Sequence, residues 1–192
     1  MLEGMNGVTS KTPELIPLGA GTIHKNLKHT GGKWEFAGTV VGATSGGNKF
    51  SIKPEIYYPP IDGAPVKLKE TAVKTGEEAN MEINMIELTK DMILATTLGK
   101  EGDSDADGFD MIESKSDIEE SDFWENVAFV GKTLKGKNII IIMDNPLCSS
   151  GLEHTGKDKE GAVGKYTFEC HASIEDVALD KLPWRIYYPS EA

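Results

Sequence analysis

Apolar side chains recur at every second position in several short segments of this chain. In the clearest example, Tyr166, Phe168, Cys170 and Ala172 alternate with polar or charged residues. A period of two places one set of side chains on the buried face of a β-strand and the other set on the opposite face. Similar alternation occurs over residues 34–40, 49–56, 80–85 and 184–188. The sequence therefore predicts a domain built mainly from strands.

A glycine-rich segment between Val40 and Ile52 is interpreted as strand, turn and strand. Its centre, Gly42-Ala43-Thr44-Ser45-Gly46-Gly47, could be mistaken for a phosphate-binding loop. Such a loop needs a following helix whose N-terminus faces the anion, whereas the residues after Gly47 alternate with a period of two. Pro54 cannot donate a ladder hydrogen bond, so the second strand is expected at a sheet edge or with a bulge.

Two segments depart from simple alternation. The unbroken apolar run from Ile139 to Met143 predicts a strand that is buried on both faces. Leu88, Met92 and Ala95 follow helical spacing, with Thr89 as the expected N-cap. Gly99 follows as a natural stop for this helix.

These patterns predict a mainly β fold, a β-sandwich or barrel with one flanking α-helix and long projecting loops. We expect an N-terminal arm over residues 1–18 and a single domain over residues 19–192. A hairpin arm over residues 57–78 and an acidic loop over residues 99–122 are expected to project from this domain, and a long structured loop usually has a role in binding.

The net charge of −11 is concentrated in one segment. Residues 100–122 contain ten acidic residues and two lysines, which gives this segment a net charge of −8. A strongly acidic protein is not expected to bind a nucleic-acid backbone, because that affinity comes from Lys and Arg. It could instead let nucleic acid pass without adhering.

The cysteines and the hydropathy indicate where the chain folds. Cys148 and Cys170 show no disulfide, redox or metal spacing, as expected in a reducing compartment. The chain has no signal-peptide pattern and no apolar run of membrane-spanning length. We therefore expect the protein to fold in a cytoplasm and not to insert into a membrane.

The most specific candidate metal site is Asp103-Ser104-Asp105-Ala106-Asp107-Gly108, which resembles the start of a calcium loop. The resemblance then fails, since Asp110 replaces an apolar residue and Ser114 occupies the position of the closing bidentate acid. A solvated acidic loop is the favoured interpretation. The sequence leaves open whether Asp103, Asp105 and Asp107 bind calcium.

Other candidate sites are weaker. The set Cys148, His154, Cys170 and His171 matches no common zinc module. Ser149 and Ser150 lack the strand-to-helix turn that surrounds a serine nucleophile. Trp34, Trp124 and Trp184 are spread along the chain like core residues. We predict no catalytic, cofactor-binding or metal-binding residue, no cofactor and no enzymatic activity.

A series of short motifs extends from about Gly19 to Pro189. The motifs are Gly19-Ala20-Gly21, Gly42-Ala43-Thr44 with Gly46-Gly47 and Phe50, Ile61-Asp62-Gly63, Glu87-Leu88-Thr89, Tyr166-Thr167-Phe168 with His171-Ala172, and Pro183-Trp184 with Ile186. In this order they resemble the major tail tube proteins of long-tailed phages that infect Gram-positive bacteria, and the acidic segment is not part of the pattern.

The resemblance implies a structural virion protein, assembled in the host cytoplasm, that forms the tail. Six copies would form a ring whose inner sheets join into one continuous barrel, and the rings would stack into a tube for genome ejection. The implied partners are further copies of the chain, the tape measure and terminator proteins of the tail, and phage DNA that passes through the lumen without specific binding.

Two alternatives remain open. One is a tube or ring protein of a contractile injection or secretion system, which shares the fold. The other, from a different class, is a calcium-dependent extracellular β-domain that acts as a binding module. Rings or tubes in electron micrographs would separate the tube-forming proteins, of either kind, from the calcium-dependent domain.

Overall fold

A computed structural model describes residues 7–155, 158, 161–179 and 181–190 of the protein. The strands are β1 Pro17–Lys25, β2 Lys28–Thr30, β3 Lys33–Glu35, β4 Lys49–Tyr57, β5 Val73–Met85, β6 Lys100–Gly102, β7 Met111–Glu113, β8 Asn126–Thr133, β9 Asn138–Asp144, β10 Leu147–Cys148, β11 Gly164–Glu169 and β12 Trp184–Tyr187. The helices are α1 Thr12–Leu15, α2 Lys90–Thr97 and α3 Ile174–Ala178, and 3-10 turns occupy Lys69–Thr71 and Glu120–Asp122.

Two four-stranded antiparallel sheets form the body of the domain. Sheet 1 has the strand order β1-β8-β9-β12, and sheet 2 has the order β10-β11-β5-β4. The hairpins β2–β3 and β6–β7 are separate two-stranded sheets. The mainly β class with a flanking helix is therefore confirmed. The sheets remain open within the described residues, so the architecture there is a sandwich and no closed barrel is present.

The main core lies between the two sheets. Every second residue of β5 is buried there, from Ala79 through Met81 and Ile83 to Met85. Tyr166 and Phe168 of β11 and residues of β1, β8 and β9 complete this core. The alternation that predicted β5 and β11 thus corresponds to one buried face and one outward face for each strand.

Strand β9 is buried on both faces, as its unbroken apolar run predicts. Ile139, Ile141 and Met143 face the main core, whereas Ile140 and Ile142 join a second cluster on the outer face of sheet 1. The β2–β3 hairpin covers this outer face through Trp34, which packs against that second cluster. Sheet 1 therefore has apolar contacts on both sides.

Helix α2 forms where its spacing predicts. The Thr89 hydroxyl accepts a hydrogen bond from the Met92 backbone N–H, and Met92 and Ala95 are buried in the main core. Leu88 lies before the helix and is exposed. The left-handed residue at the C-terminus is Leu98, with φ of 49°, and not the predicted stop, Gly99.

The interpretation of the segment between Val40 and Ile52 as a hairpin is wrong. Val40 forms an isolated bridge with His24 of β1, and Thr44 forms another with Met85 of β5. Strand β4 pairs with β5 and not with the residues before the glycines. The residues on the two sides of the glycines therefore pair with strands that are distant in sequence, and not with each other across the turn.

Both segments that were expected to project contain regular structure. The predicted hairpin arm consists of the distal ends of β4 and β5 and the connection over residues 58–72. The acidic segment is not a simple exposed loop, because it contains the β6–β7 hairpin and a 3-10 turn.

The chain near its N-terminus is also ordered where it is described. Residues 1–6 of the expected arm lie outside the described residues. Thr12–Leu15 form helix α1, and the Leu134 backbone N–H donates to the Ile16 carbonyl. Helix α3 was not predicted, although Ser173 caps it by accepting from the Asp176 N–H. No helix in the described part of the chain is long and apolar enough to cross a bilayer.

Candidate assembly surfaces

The residues considered as metal or catalytic candidates differ in burial. Cys148 is buried beside Ser150, with 3.6 Å between Sγ and Oγ, whereas His154 is exposed in a loop. Cys170 packs against the core, and burial raises the pKa of its thiol to about 12. The His171 ring lies edge-on to Phe123. Among the described residues, no three of these candidate ligands come together in a group that could hold a metal ion.

Asp103, Asp105 and Asp107 lie in the exposed connection between β6 and β7. Within the described residues, no group of three or more His, Cys, Asp or Glu side chains has an arrangement that could hold a metal ion. Gly42–Gly47 is likewise followed by strand β4 and not by a helix. The remaining candidates for function are extended surfaces.

The hairpin arm is the first of these surfaces. We use the name hairpin arm for residues 55–76, which extend beyond the Pro54–Glu77 pair of β4 and β5. Its exposed apolar side chains are Ile56, Tyr57, Ile61, Val66, Leu68 and Val73, with exposed fractions between 39% and 71%. An exposed apolar group of this kind is typical of an interaction site.

The free edge of β4 is the second surface. Strand β4 is the outermost strand of sheet 2, as Pro54 predicts, and its register shifts between Glu55 and Ile56. Near its start, the partly exposed Phe50 ring lies 5.8 Å from that of Phe129 in sheet 1. A strand edge offers unpaired backbone groups to another strand, so β4 can pair with a second chain.

The outer face of sheet 2 is polar along its length. Glu82 of β5 binds Lys49 of β4 at 2.6 Å and Lys165 of β11 at 2.7 Å. Hydrogen bonds from Lys165 and Lys49 lower the pKa of the Glu82 carboxyl to about 2. Both ammonium groups are thus held against a carboxylate that stays ionised at neutral pH. Alternation within each strand indicates this face, but the register that joins the three residues is a tertiary feature.

The acidic segment is held in place by two lysines. Lys115 is largely buried and binds Asp122 at 2.8 Å and Glu119 at 3.0 Å. Lys90 of α2 binds Glu101 at 2.8 Å and Asp110 at 2.9 Å. The Lys90 contacts fix the β6–β7 hairpin to α2, whereas the Lys115 contacts lie within the segment and order its C-terminal part. Charge counting alone did not predict these contacts.

A cavity of about 450 Å³ lies between α2 and the acidic segment, and Lys25, Asp91, Lys115 and Asp122 are among its lining residues. Lys25 lies 2.9 Å from Asp91 and 4.9 Å from the centre of the Trp124 ring. The lysines and acids of this cavity pair mainly with one another, so it offers no obvious ligand site.

No protein-family model matches this chain, and no curated protein is significantly similar to it. The assignment of function therefore depends on the surfaces. They combine an open strand edge, an exposed apolar arm and a polar sheet face. This combination is suited to binding other protein chains.

Proposed function

We propose that this protein is a structural subunit that assembles into stacked rings forming a phage tail tube. The observation that carries the proposal is the hairpin arm, because its apolar residues lie beyond the Pro54–Glu77 pair and stay between 39% and 71% exposed in the single chain. A monomer that exposes so many apolar groups on one projection is expected to bury them on assembly. The family resemblance of the sequence motifs suggests what the assembly is.

Within a ring, the free edge of β4 would pair with a neighbouring subunit. Pairing would satisfy the backbone groups that an outermost strand leaves open, and it would extend sheet 2 from one copy to the next. Six copies per ring, as the resemblance implies, would join these sheets into one barrel. The edge of β4 and its receiving edge are different surfaces, so the contact is heterologous and closes as a ring.

The outer face of sheet 2 would line the lumen through which DNA leaves the capsid. The outer face of sheet 1 is covered by the β2–β3 hairpin, whereas sheet 2 presents polar side chains. Glu82 offsets one of the two positive charges of Lys49 and Lys165, and Glu78 and Glu169 add negative charge to the same face. The face as a whole would therefore bind passing phosphates weakly. Such a wall suits DNA that passes without specific binding.

The proposal places the protein in the virion tail after assembly in the host cytoplasm. Its other partners would be the tape measure and terminator proteins, and its role would need no catalysis and no cofactor. A tube protein of a contractile injection or secretion system would share these properties.

Deletion of residues 58–74 tests the proposal. We expect the shortened protein to fold but not to polymerise, because the arm is required for contact with the adjacent ring. Circular dichroism would report folding, and negative-stain electron microscopy would report rings and tubes. A full-length variant with Ile61, Val66 and Leu68 changed to Ser keeps the loop length and should show the same loss.

Normal-length tubes from the deletion would contradict this role for the arm. If the unmodified protein remained monomeric at high concentration and bound calcium in calorimetry, the calcium-dependent extracellular domain would be favoured instead.

A further inference from the structure

The two ends of the sandwich carry opposite charge. We call them the acidic end and the basic end. The acidic end is where β9 finishes at Asp144 and β8 begins at Asn126. Lys25, the last residue of β1, binds Asp91 of α2 there, and the cavity beside it is lined by the acidic segment. The segment with a net charge of −8 thus lies at one end of the molecule and not on a sheet face.

The basic end is formed by the turn between β8 and β9. Residues 130–138 contain Lys132, Lys135 and Lys137 and no acidic residue. Lys132 and Lys135 are exposed, whereas Lys137 lies 3.3 Å from Glu14 of α1. A groove of about 250 Å³ beside them is lined by Leu15 and Tyr188, among others. This volume is small for a ligand site, which typically starts at roughly 300 Å³, and it suits an inserted side chain.

The geometry of sheet 1 places these ends on opposite sides of the domain. Strand β9 runs from the basic end to the acidic end, and its seven residues span about 20 Å. The Trp184 indole at the acidic end donates a hydrogen bond to Glu77, which is paired with Pro54 at the base of the hairpin arm. The base of the arm therefore lies beside β12, close to the acidic end.

We propose that the acidic end of one copy docks on the basic end of a copy in the next ring, with the hairpin arm reaching toward the groove beside Tyr188. This inference rests on the proposed function, since it needs stacked rings, and it names the contacting surfaces. Opposite ends attract and like ends repel, so every ring adds in the same orientation. A contact between two different surfaces with a rise continues as an open tube.

The acidic segment then serves the contact between rings and does not line the lumen. Its anchoring by Lys90 and Lys115 fits this role, because a held surface loses little conformational freedom when it docks.

Charge reversal at each end tests the proposal. One variant carries Lys132→Glu and Lys135→Glu, a second carries Asp105→Lys and Asp107→Lys, and a third carries all four changes. We expect each of the first two to form rings that do not stack, with tube yield reduced at least tenfold. The third variant keeps the wild-type net charge and should recover tubes. Lys33→Glu, on the β2–β3 hairpin, is the control and should assemble normally.

Ionic strength provides a second measurement. Raising the salt concentration from 0.05 M to 0.5 M shortens the electrostatic screening length from about 14 Å to about 4 Å. Because this weakens the attraction between the charged ends, wild-type tubes should separate into rings. Tubes of normal length from both two-residue variants would overturn the inference while leaving the proposed function intact. Absence of rings and tubes from the wild-type protein under all conditions would instead remove the proposed function.

Discussion

At the scale of single residues, the position of the Phe129 ring on sheet 1 depends on two glycines of that sheet. A Cβ on Gly131 would lie 2.7 Å from the Phe129 ring, and one on Gly21 would lie 2.3 Å from it. Gly21 also has φ of 67°, which disfavours other residues. Both positions therefore allow the ring to lie flat against the strands.

We expect Gly131→Ala to lower the free energy of unfolding by about 1–3 kcal/mol, because the ring must move in a packed region. Chemical denaturation would measure the loss. Gly161→Ala is the matched control, since its Cβ would meet no atom within 4 Å. A Gly131→Ala protein as stable as the control would contradict this packing explanation. Adding Phe129→Leu to Gly131→Ala should restore part of the lost free energy of unfolding, because the smaller side chain leaves room for the new methyl group.

His24 gives the protein a specific pH dependence. Its ring is buried between the Thr22 and Thr39 hydroxyls, at 2.9 Å and 2.8 Å, and burial lowers its pKa below the ordinary 6.5. The unfolded chain therefore takes up this proton at a higher pH than the native protein. The contribution of neutral His24 to the free energy of unfolding is therefore fully present above about pH 7, and it is lost as the pH falls toward the pKa of His24 in the folded protein.

We expect the free energy of unfolding to decrease between pH 7 and pH 5 more steeply in the wild-type protein than in His24→Gln. Denaturation at several pH values would measure both slopes. The exposed His154 provides the control, since His154→Gln should retain the wild-type slope. Equal slopes for wild type and His24→Gln would exclude this contribution.

At the scale of elements, the Thr89 hydroxyl closes the N-terminus of α2, which covers one end of the core. The hydroxyl accepts from the Met92 N–H at 3.3 Å, and Met92 is fully buried. We expect Thr89→Ala to destabilise the protein by about 1 kcal/mol through loss of the cap. Thermal denaturation would detect the change, and Thr89→Ser, which keeps the hydroxyl, should remain close to wild type. A matching loss in both variants would point away from capping.

At the scale of the whole molecule, assembly and folding should be separable. Ile56 and Tyr57 are 54% and 53% exposed at the base of the hairpin arm, so they contribute little to the monomer. We expect Ile56→Thr with Tyr57→Thr to change stability by about 0.5 kcal/mol or less and to reduce tube formation strongly. Melting curves and sedimentation would measure the two effects. Leu152→Thr with Val163→Thr, also partly exposed, is the control and should still assemble.

The sequence by itself determined several of the core strands and which of their faces are buried. Alternation located β5, β11 and β12, the apolar run located the doubly buried β9, and Pro54 located an edge strand. These features are predictable because the period of side chains along a strand is a local property. The Thr89 cap and the helix α2 are local in the same sense.

Only the tertiary structure decided which segments pair and which charges meet. Val40 pairs with His24 and not across the glycine turn, and Glu82 meets lysines of two neighbouring strands. Composition identified the acidic segment, but it did not predict that this segment lies at one end of the domain and Lys132 and Lys135 at the other. Pairing and polarity of this kind depend on contacts between residues far apart in the chain, and periodicity within a segment contains no information about its partner.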